Sequence, residues 1–323
     1  MKVPTTSWTI VMTCGVVSID LSLAHQPVLS AILLWFAAAV WVLLTGVLGL
    51  PLIFERGRLA REAASPGVLT IVAATAVLGS RLALGGYRIV AAVLLAVAAV
   101  ECAVLIGPVL RRWVTPTVGI SFVAGVAADS VALLSGTLAM PYRARWLVFV
   151  ALALVLVALG LYAFAAARFD VRQLLTGRGD HWIAGGALAI SALSAARATQ
   201  AADALGLFDH EALTVGALVL WCAAMAWLPV LIVAEIARPR VSLGLPRWAT
   251  GFPIGMYAAC SFVVGEVTGI TGIVDFARGW TWVAVAATVL LLAGLARGLV
   301  PRPRSFPGTD ALGASSGDGR AAP

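Results

Sequence analysis

The sequence predicts an all-α polytopic membrane protein in which ten transmembrane helices form five helical hairpins. Three observations predict this fold class. Of the 323 residues, 61% are apolar and only 11% are charged, whereas a soluble protein needs many more ionic side chains on its surface. Ten apolar runs of about 20 residues are each long enough to cross a hydrocarbon core of about 30 Å. The content of small residues also alternates from one run to the next.

The ten runs are predicted to be helices of one transmembrane domain, residues 1–300. They lie at 5–23, 28–53, 66–86, 88–110, 116–139, 145–167, 182–202, 213–236, 246–268 and 278–299. The first run follows Lys2 without a small-residue cleavage site, so we expect a retained helix and not a removed signal peptide. The Pro-, Gly- and Ser-rich remainder, 301–323, has almost nothing to bury and is predicted to be a disordered cytoplasmic tail.

Basic residues and tryptophans predict the orientation in the membrane. With a cytoplasmic N-terminus, 16 of the 22 Lys and Arg residues fall on the cytoplasmic side. This excess satisfies the positive-inside rule, so both termini are predicted to be cytoplasmic. The chain is rich in Arg, Ala and Val, which indicates a bacterial protein of the inner membrane. Seven tryptophans at predicted helix ends are expected to lie at the membrane interface: Trp8, Trp113, Trp146, Trp182, Trp248, Trp280 and Trp282.

The helices differ in their content of small residues. Windows of 20 residues in the third, fifth, seventh and ninth helices hold 11, 11, 14 and 9 Gly, Ala, Ser and Thr residues, against 7, 7, 7, 6 and 9 in the even helices. Small residues permit close helix approach or leave space for a passage, whereas Leu- and Val-rich helices suit lipid contact. The alternation therefore predicts an inner pore ring of odd helices and an outer ring of even helices. Helix packing alone is the simpler alternative.

Composition and motifs argue against other functions. The four cysteines and three histidines show no metal-ligand spacing, so neither a metal nor a cofactor is expected. The net charge of +7 is scattered over short loops, which argues against a nucleic-acid partner. A membrane-embedded enzyme is a remote alternative, because the sequence contains no HExxH, GxSxG or P-loop motif. Its nearest candidate, Gly179-Asp180-His181, is interpreted as a helix start capped near Asp180.

Ionisable side chains within the predicted helices are costly to bury and are candidate functional residues. Glu235 and Arg197 lie close enough to helix ends for their charges to reach the interface, and Asp20, Arg81 and Glu266 lie near the outer ends of odd helices. An ion-pair network in a vestibule is the simpler explanation for this group, and Asp20, Arg81 and Arg197 are also candidate pore-lining or coupling residues. Glu101, on an even helix, is interpreted as a structural hydrogen-bonding partner. Asp129 lies well inside the fifth helix and is expected to face the pore. Because its carboxylate would repel an anion, it is protonated, paired with Arg197 or Arg81, or part of a proton-coupled cycle.

Three segments resemble a known family. Trp248-Ala-Thr-Gly-Phe-Pro-Ile-Gly-Met-Tyr257 resembles the Trp-x-x-x-Phe-Pro signature of the tellurite-resistance/dicarboxylate transporter family, which includes the plant slow anion channels. Thr13-Cys-Gly-Val-Val-Ser-Ile19 and Gly179-Asp-His-Trp-Ile-Ala-Gly-Gly186 are similar to its bacterial members. The resemblance extends over roughly residues 5 to 300 and makes Gly15 and Gly251 candidate pore-lining positions.

The resemblance implies ten helices around a central pore, commonly in a homotrimer, with a phenylalanine of the ninth helix as the gate. The motif assigns this role to Phe252, beside Pro253, which bends the helix. An apolar constriction can gate by dewetting, and the alternative is a packing or lipid-facing Phe beside a kink. The implied function is a channel or transporter for small anions: chloride, nitrate, sulfite, tellurite or C4-dicarboxylates. The alternative is a proton-coupled dicarboxylate or sulfite carrier that uses Asp129.

Overall fold

The computed structural model describes residues 4–50, 54, 57, 65–175, 179–207, 210–239 and 244–299. Ten α-helices occupy these segments. They are α1 (Trp8–Leu23), α2 (Pro27–Leu44), α3 (Thr70–Leu84), α4 (Arg88–Arg111), α5 (Val123–Tyr142), α6 (Arg145–Ala166), α7 (Trp182–Ala204), α8 (His210–Ala237), α9 (Trp248–Thr268) and α10 (Thr271–Leu299). Short 3₁₀ turns lead into α1, α3, α5 and α9, and a π-helical turn extends α2.

The predicted all-α fold is confirmed, with small differences at the helix ends. Within the described segments, nine helices are long and apolar enough to cross a membrane, and α7 is equally long but richer in small and polar residues. Helix α10 begins at Thr271 and not at 278. The predicted span began only at 278 and left out the segment that contains Asp275. Asp275 and Arg278 form an exposed ion pair at 2.9 Å, one helical turn apart. A helix that extends beyond the apolar core accommodates such a pair. The predicted tail at 301–323 lies outside the described residues.

The five hairpins are built on the same turn. Each short connection contains one residue in the left-handed region, with φ between 50° and 87°: His25, Gly86, Arg143, Gly206 and Gly269. This conformation reverses the chain after the end of a helix. In the first four hairpins, the next amide donates to the carbonyl five residues before it, at 2.8–3.0 Å. Positions in different hairpins can therefore be compared by their distance in sequence from this left-handed residue.

We call the membrane face with these turns the turn face and the other one the N-terminal face.

The odd helices form a closed inner ring. Helix α1 packs on α3, α3 on α5, α5 on α7, α7 on α9, and α9 on α1 again. Each even helix lies outside, between its own odd partner and the next odd helix. In the apolar spans of α1, α3, α5 and α9, 83–100% of the residues are buried, against 22–28% in the even helices. In α7, 20 of 23 residues are buried. The predicted division into an inner and an outer ring is confirmed.

Part of the small-residue content of the inner ring serves helix packing. A Cβ added to Gly15 of α1 would lie 3.0 Å from Val77 of α3. A Cβ on Gly79 of α3 would lie 2.7 Å from Leu134 of α5. These distances are at or below the limit of ordinary contacts, so only glycine permits this approach. The packing alternative therefore holds for these two glycines.

The tryptophans at helix ends divide into two groups. Trp146 and Trp282 are 64% and 51% exposed, as expected at a membrane interface. Trp8 and Trp248, the first residues of α1 and α9, are completely buried. These two rings are thus covered by neighbouring helices, unlike those of the outer ring. Trp280 and Trp282 lie in the third and fourth turns of α10 and not at its start.

Tryptophans of the outer ring donate hydrogen bonds to helices of the inner ring. The indole of Trp221 on α8 donates to the Ser261 hydroxyl on α9 at 2.8 Å. We expect Trp221→Phe to lower the free energy of unfolding by about 1 kcal/mol, because it removes this bond and keeps the aromatic ring. Denaturant titration in mixed micelles measures the effect. Trp282→Phe, on an exposed position of α10, is the control and is expected to change nothing. Equal losses in both variants would contradict the role of the hydrogen bond.

Candidate functional site

The contacts of α9 define the direction of Phe252. Successive residues of an α-helix are about 100° apart around its axis. Gly251 lies against Thr13 of α1, and Pro253 lies against Gly186 of α7. Phe252 lies between these two positions and is 3% exposed. It therefore points between the two inner helices that flank α9.

Two hydrogen bonds from the outer ring reach α9 on its opposite side. The Ile254 carbonyl accepts a hydrogen bond from Trp280 of α10 at 3.0 Å, and Ser261 accepts the bond from Trp221 of α8. Both positions are about half a turn from Phe252 around the helix axis. We infer that the Phe252 ring is directed towards the middle of the inner ring and away from lipid.

Two adjacent glycines of α7, Gly185 and Gly186, permit close contact with Tyr257 and Pro253 of α9. A Cβ on Gly186 would lie 2.8 Å from Pro253, and a Cβ on Gly185 would overlap the Tyr257 hydroxyl. Pro253 lies inside α9 and has no amide hydrogen, so the helix loses one bond of its backbone ladder there. The close contact with α7 supports the chain at this point. Gly186 ends one of the three motifs, but its partner is 67 residues away and no spacing rule indicates it.

Asp129 is held by α7. It is the eleventh residue of the 24-residue span of α5, close to mid-membrane, and is 1% exposed. Its Oδ2 accepts a hydrogen bond from Ser191 at 2.5 Å, and its main-chain carbonyl accepts one from Ser194 at 2.8 Å. No hydrogen-bond donor reaches Oδ1. The partners are thus two serines that sequence reasoning did not select, and neither Arg197 nor Arg81 donates to the carboxyl.

The lipid side of α5 is marked by a groove of about 600 Å³ between α4 and α6. Val131, Ser135 and Leu138 of α5 contribute to its lining. These positions are roughly half a turn from Asp129 around the helix axis. Asp129 therefore lies on the inner side of α5, beside α7, as the expectation that it faces the pore requires.

Arg197 belongs to a polar chain that joins α7 to α9 near the turn face. Its Nη1 donates to Oε1 of Gln200 at 2.7 Å, and Nε2 of Gln200 donates to Oε2 of Glu266 at 3.0 Å. Arg197 is 7% exposed. The two charges are thus linked through an amide and do not form a direct ion pair. Gln200 had not been singled out, because an uncharged residue three positions from an arginine carries no specific signal.

Arg81 and Asp20 make separate contacts. The guanidinium of Arg81 reaches the α1–α2 hairpin, where Nε donates to the Ser18 hydroxyl at 3.0 Å and Nη2 donates to the Ser30 hydroxyl at 2.8 Å. These bonds favour an anchoring role. Both oxygens of Asp20 are buried, and no hydrogen-bond donor reaches them. A Cβ on Gly255 of α9 would lie 3.4 Å from Oδ2 of Asp20, so this carboxyl faces α9.

Two further polar groups clarify earlier interpretations. Glu101 of α4 contacts the Thr75 hydroxyl of α3, as expected of a structural partner. Helix α7 begins at Trp182, as the predicted helix start at 179–181 requires, and its N-cap residue makes no side-chain capping bond. Gly119, in the 3₁₀ turn that leads into α5, lies against the peptide that joins Asp180 to His181. This helix start is therefore held by direct backbone packing.

Comparison with known proteins is consistent with this geometry. Residues 2–296 match the family model described as voltage-dependent anion channel. Two uncharacterized membrane proteins of Mycobacterium tuberculosis, from strains CDC 1551 and H37Rv, are each 31% identical over 142 residues, which is 42% of this chain and 72% of the relative. The model covers nearly the whole chain, including all ten helices, and describes a transport family and not an enzyme family. This multi-pass integral membrane protein therefore belongs to the voltage-dependent anion channel family, as its resemblance to the tellurite-resistance/dicarboxylate transporters implied.

Proposed function

We propose that the protein conducts small anions along the axis of its inner ring and that Phe252 closes this passage. The observation that carries the proposal is the closed ring of five buried helices, with Phe252 directed into it. The expected ions are chloride, nitrate, sulfite, tellurite and C4-dicarboxylates. In such a passage, selectivity depends on width and on the cost of dehydrating the ion, so a dedicated high-affinity site is not required.

The contacts of Phe252 support its role as a gate. An apolar ring in a narrow passage excludes water, and an ion cannot leave its hydration shell without replacement ligands. Gly251 and Pro253 hold α9 against α1 and α7 on both sides of the ring. Opening is therefore expected to need rotation of the Phe252 side chain or a shift of α9. Gly15 and Gly251 are proposed to shape this pathway, because they allow neighbouring helices to approach each other closely.

Arg197 is proposed as the residue that attracts anions at the turn face. Its guanidinium is bound by a neutral amide and is separated from Glu266 by that amide, so part of its positive charge remains available. Arg81 is proposed as an anchor of the α1–α2 hairpin, because its donors are used by Ser18 and Ser30.

The proposed setting follows from the distribution of charge and from the resemblance. The excess of Arg and Lys at the N-terminal face favours cytoplasmic termini in a bacterial inner membrane. Membrane lipids cover the outer ring. A homotrimer is proposed by resemblance to the family.

Anion flux in proteoliposomes tests the function. We expect the purified protein to release trapped anions faster than protein-free vesicles, with different rates for chloride, nitrate, sulfite and malate. The measurement uses anion-selective electrodes at equal pH on both sides. Vesicles with heat-inactivated protein are the control for leakage. Absence of protein-dependent flux for every anion would remove the proposal.

Asp129 supports a second candidate, a proton-coupled carrier. Its carboxyl has one oxygen without a donor, lies near mid-membrane and contacts Ser191 of a neighbouring inner helix. A carboxyl in this position can take up a proton from one face and release it at the other as the helices move. The proton bound there would then cross the membrane together with the anion.

Asp129→Asn separates the two candidates. If transport is coupled, an imposed pH gradient accelerates wild-type anion uptake by about tenfold. The variant loses this acceleration, because an amide does not take up and release a proton. Uptake at equal pH is expected to change little, since Asn can still accept the Ser191 bond. Collapse of the gradient with a protonophore is the control. Unchanged gradient-driven uptake in the variant would exclude coupling through Asp129.

A further inference from the structure

Asp20 is an acid without a partner in a dry contact between α1 and α9. It is completely buried, and neither carboxyl oxygen has a hydrogen-bond donor. Val16 and Val17 of the same helix lie against Gly255 of α9, one turn before Asp20. An isolated carboxylate in such surroundings is far less stable than the neutral acid. The arrangement is therefore that of a protonated carboxyl.

The fold does not need an acid at this position. Asp20 lies five residues before the left-handed residue of its hairpin. The equivalent residues of the other four hairpins are all buried: Arg81, Leu138, Ala201 and Val264. Three of these are apolar, and Arg81 has its own hydrogen bonds. The carboxyl of Asp20 is thus an addition to a position that an apolar side chain fills elsewhere.

The other ionisable groups around α1 do not neutralise Asp20. Helix α2 has none between Pro27 and Leu44. Helix α3 presents Arg81, which is held by serines, and α9 presents the Cys260 thiol, which donates to the Tyr257 carbonyl. The remaining groups are Tyr257 and Glu266 of α9, bonded to Ala224 and Gln200, the exposed Asp275–Arg278 pair of α10, and His25 in the hairpin turn.

We propose that Asp20 is a proton-binding site that controls the gate. With its proton, the side chain packs against Gly255 and keeps α1 tightly on α9. Loss of the proton to water at the turn face leaves a carboxylate, which must be hydrated, so the contact between α1 and α9 loosens. Gly255 is only three residues, about 4.5 Å of helix rise, from Phe252. Loosening this contact shifts the segment that holds Phe252 and opens the passage. This inference rests on the proposed function of Phe252.

Anion flux at equal pH on both sides tests the proposal. Between about pH 4, where exposed carboxyls ionise, and about pH 9, we expect wild-type flux to rise about tenfold. Asp20→Asn is expected to keep the low flux of the acidic state at every pH, because a neutral amide replaces the neutral acid. Asp20→Ala, which reproduces the alanine at the equivalent position of α7, is expected to lose the pH dependence too. Asp275→Asn, an exposed acid on α10, is the control and should keep the wild-type profile.

Infrared spectroscopy observes the proton directly. One component of the carbonyl stretch of protonated carboxyls should persist above about pH 4 in the wild type and be missing in Asp20→Asn. A wild-type flux profile in both Asp20 variants would overturn the control of the gate by Asp20. Absence of the infrared difference would overturn the proton site itself. If Phe252→Ala has no effect on flux, the gate proposal fails, while the infrared result still decides the protonation of Asp20.

Discussion

Phe252→Ala is expected to raise anion flux about tenfold or more at neutral pH. The ring is buried and directed into the inner ring of helices, so its removal widens an apolar constriction and admits water. A tenfold increase corresponds to a barrier lower by about 1.4 kcal/mol. The measurement is the initial rate of anion release from proteoliposomes, divided by the amount of folded protein. Phe252→Leu retains an apolar plug and is expected to stay near the wild-type rate.

Phe122→Ala is the matched control for this experiment. Phe122 is 1% exposed, close to the 3% of Phe252. It lies in the 3₁₀ turn that leads into α5, where its ring packs against Tyr162 and Phe169 and not in the contact between α1 and α9. Both substitutions remove a buried ring and are expected to cost about 3–5 kcal/mol of stability. Only the change at Phe252 should increase flux. Equal flux in the two variants would contradict a gate at Phe252.

Gly119→Ala is expected to destabilise the fold strongly. A Cβ at this position would overlap the backbone of Asp180 and His181 at the start of α7. Backbone atoms cannot rotate away as a flexible side chain does, so α5 and α7 must separate at the N-terminal face. We expect the free energy of unfolding to fall by about 3 kcal/mol, with a correspondingly lower Tm in detergent. Thermal unfolding followed by intrinsic fluorescence measures the loss.

Gly160→Ala is the control for this substitution. Gly160 lies on the outer helix α6, and no atom lies within 4 Å of the position of an added Cβ. Since alanine favours a helix over glycine by about 1 kcal/mol, this variant should be unchanged or slightly more stable. A similar loss of stability in both variants would show that the contact between Gly119 and α7 has no special role.

The candidate site could be predicted only in part. The Phe252-Pro253 pair and the intramembrane Asp129 are visible in the sequence, since a signature motif and a charge inside an apolar run are local signals. The partners of these residues are not local. Ser191 is 62 residues from Asp129, and small polar residues are too frequent in α7 to single it out. The expectation that an arginine pairs with Asp129 followed from charge alone, and the geometry replaced it with serine hydroxyls.

The inner tryptophans illustrate the same limit. Trp8 lies near the end of an apolar run, which is the usual position of an interfacial tryptophan, yet its side chain is buried within the protein. Its position along the helix is a property of the sequence, whereas its cover is supplied by neighbouring helices. A helix end in the outer ring, such as that of Trp146, keeps the exposure that the rule expects.

The sequence by itself determined the ten membrane helices, their pairing as hairpins and the assignment of the odd helices to the inner ring. These features depend on the length of apolar runs, the brevity of turns and the local content of small residues, all of which are written along the chain. The tertiary structure alone decided which atoms meet across the ring: Ser191 with Asp129, Gly186 with Pro253, and Gly255 with Asp20. Such contacts depend on the rotation and crossing of helices, which are set by close packing of side chains from distant segments and not by any local pattern.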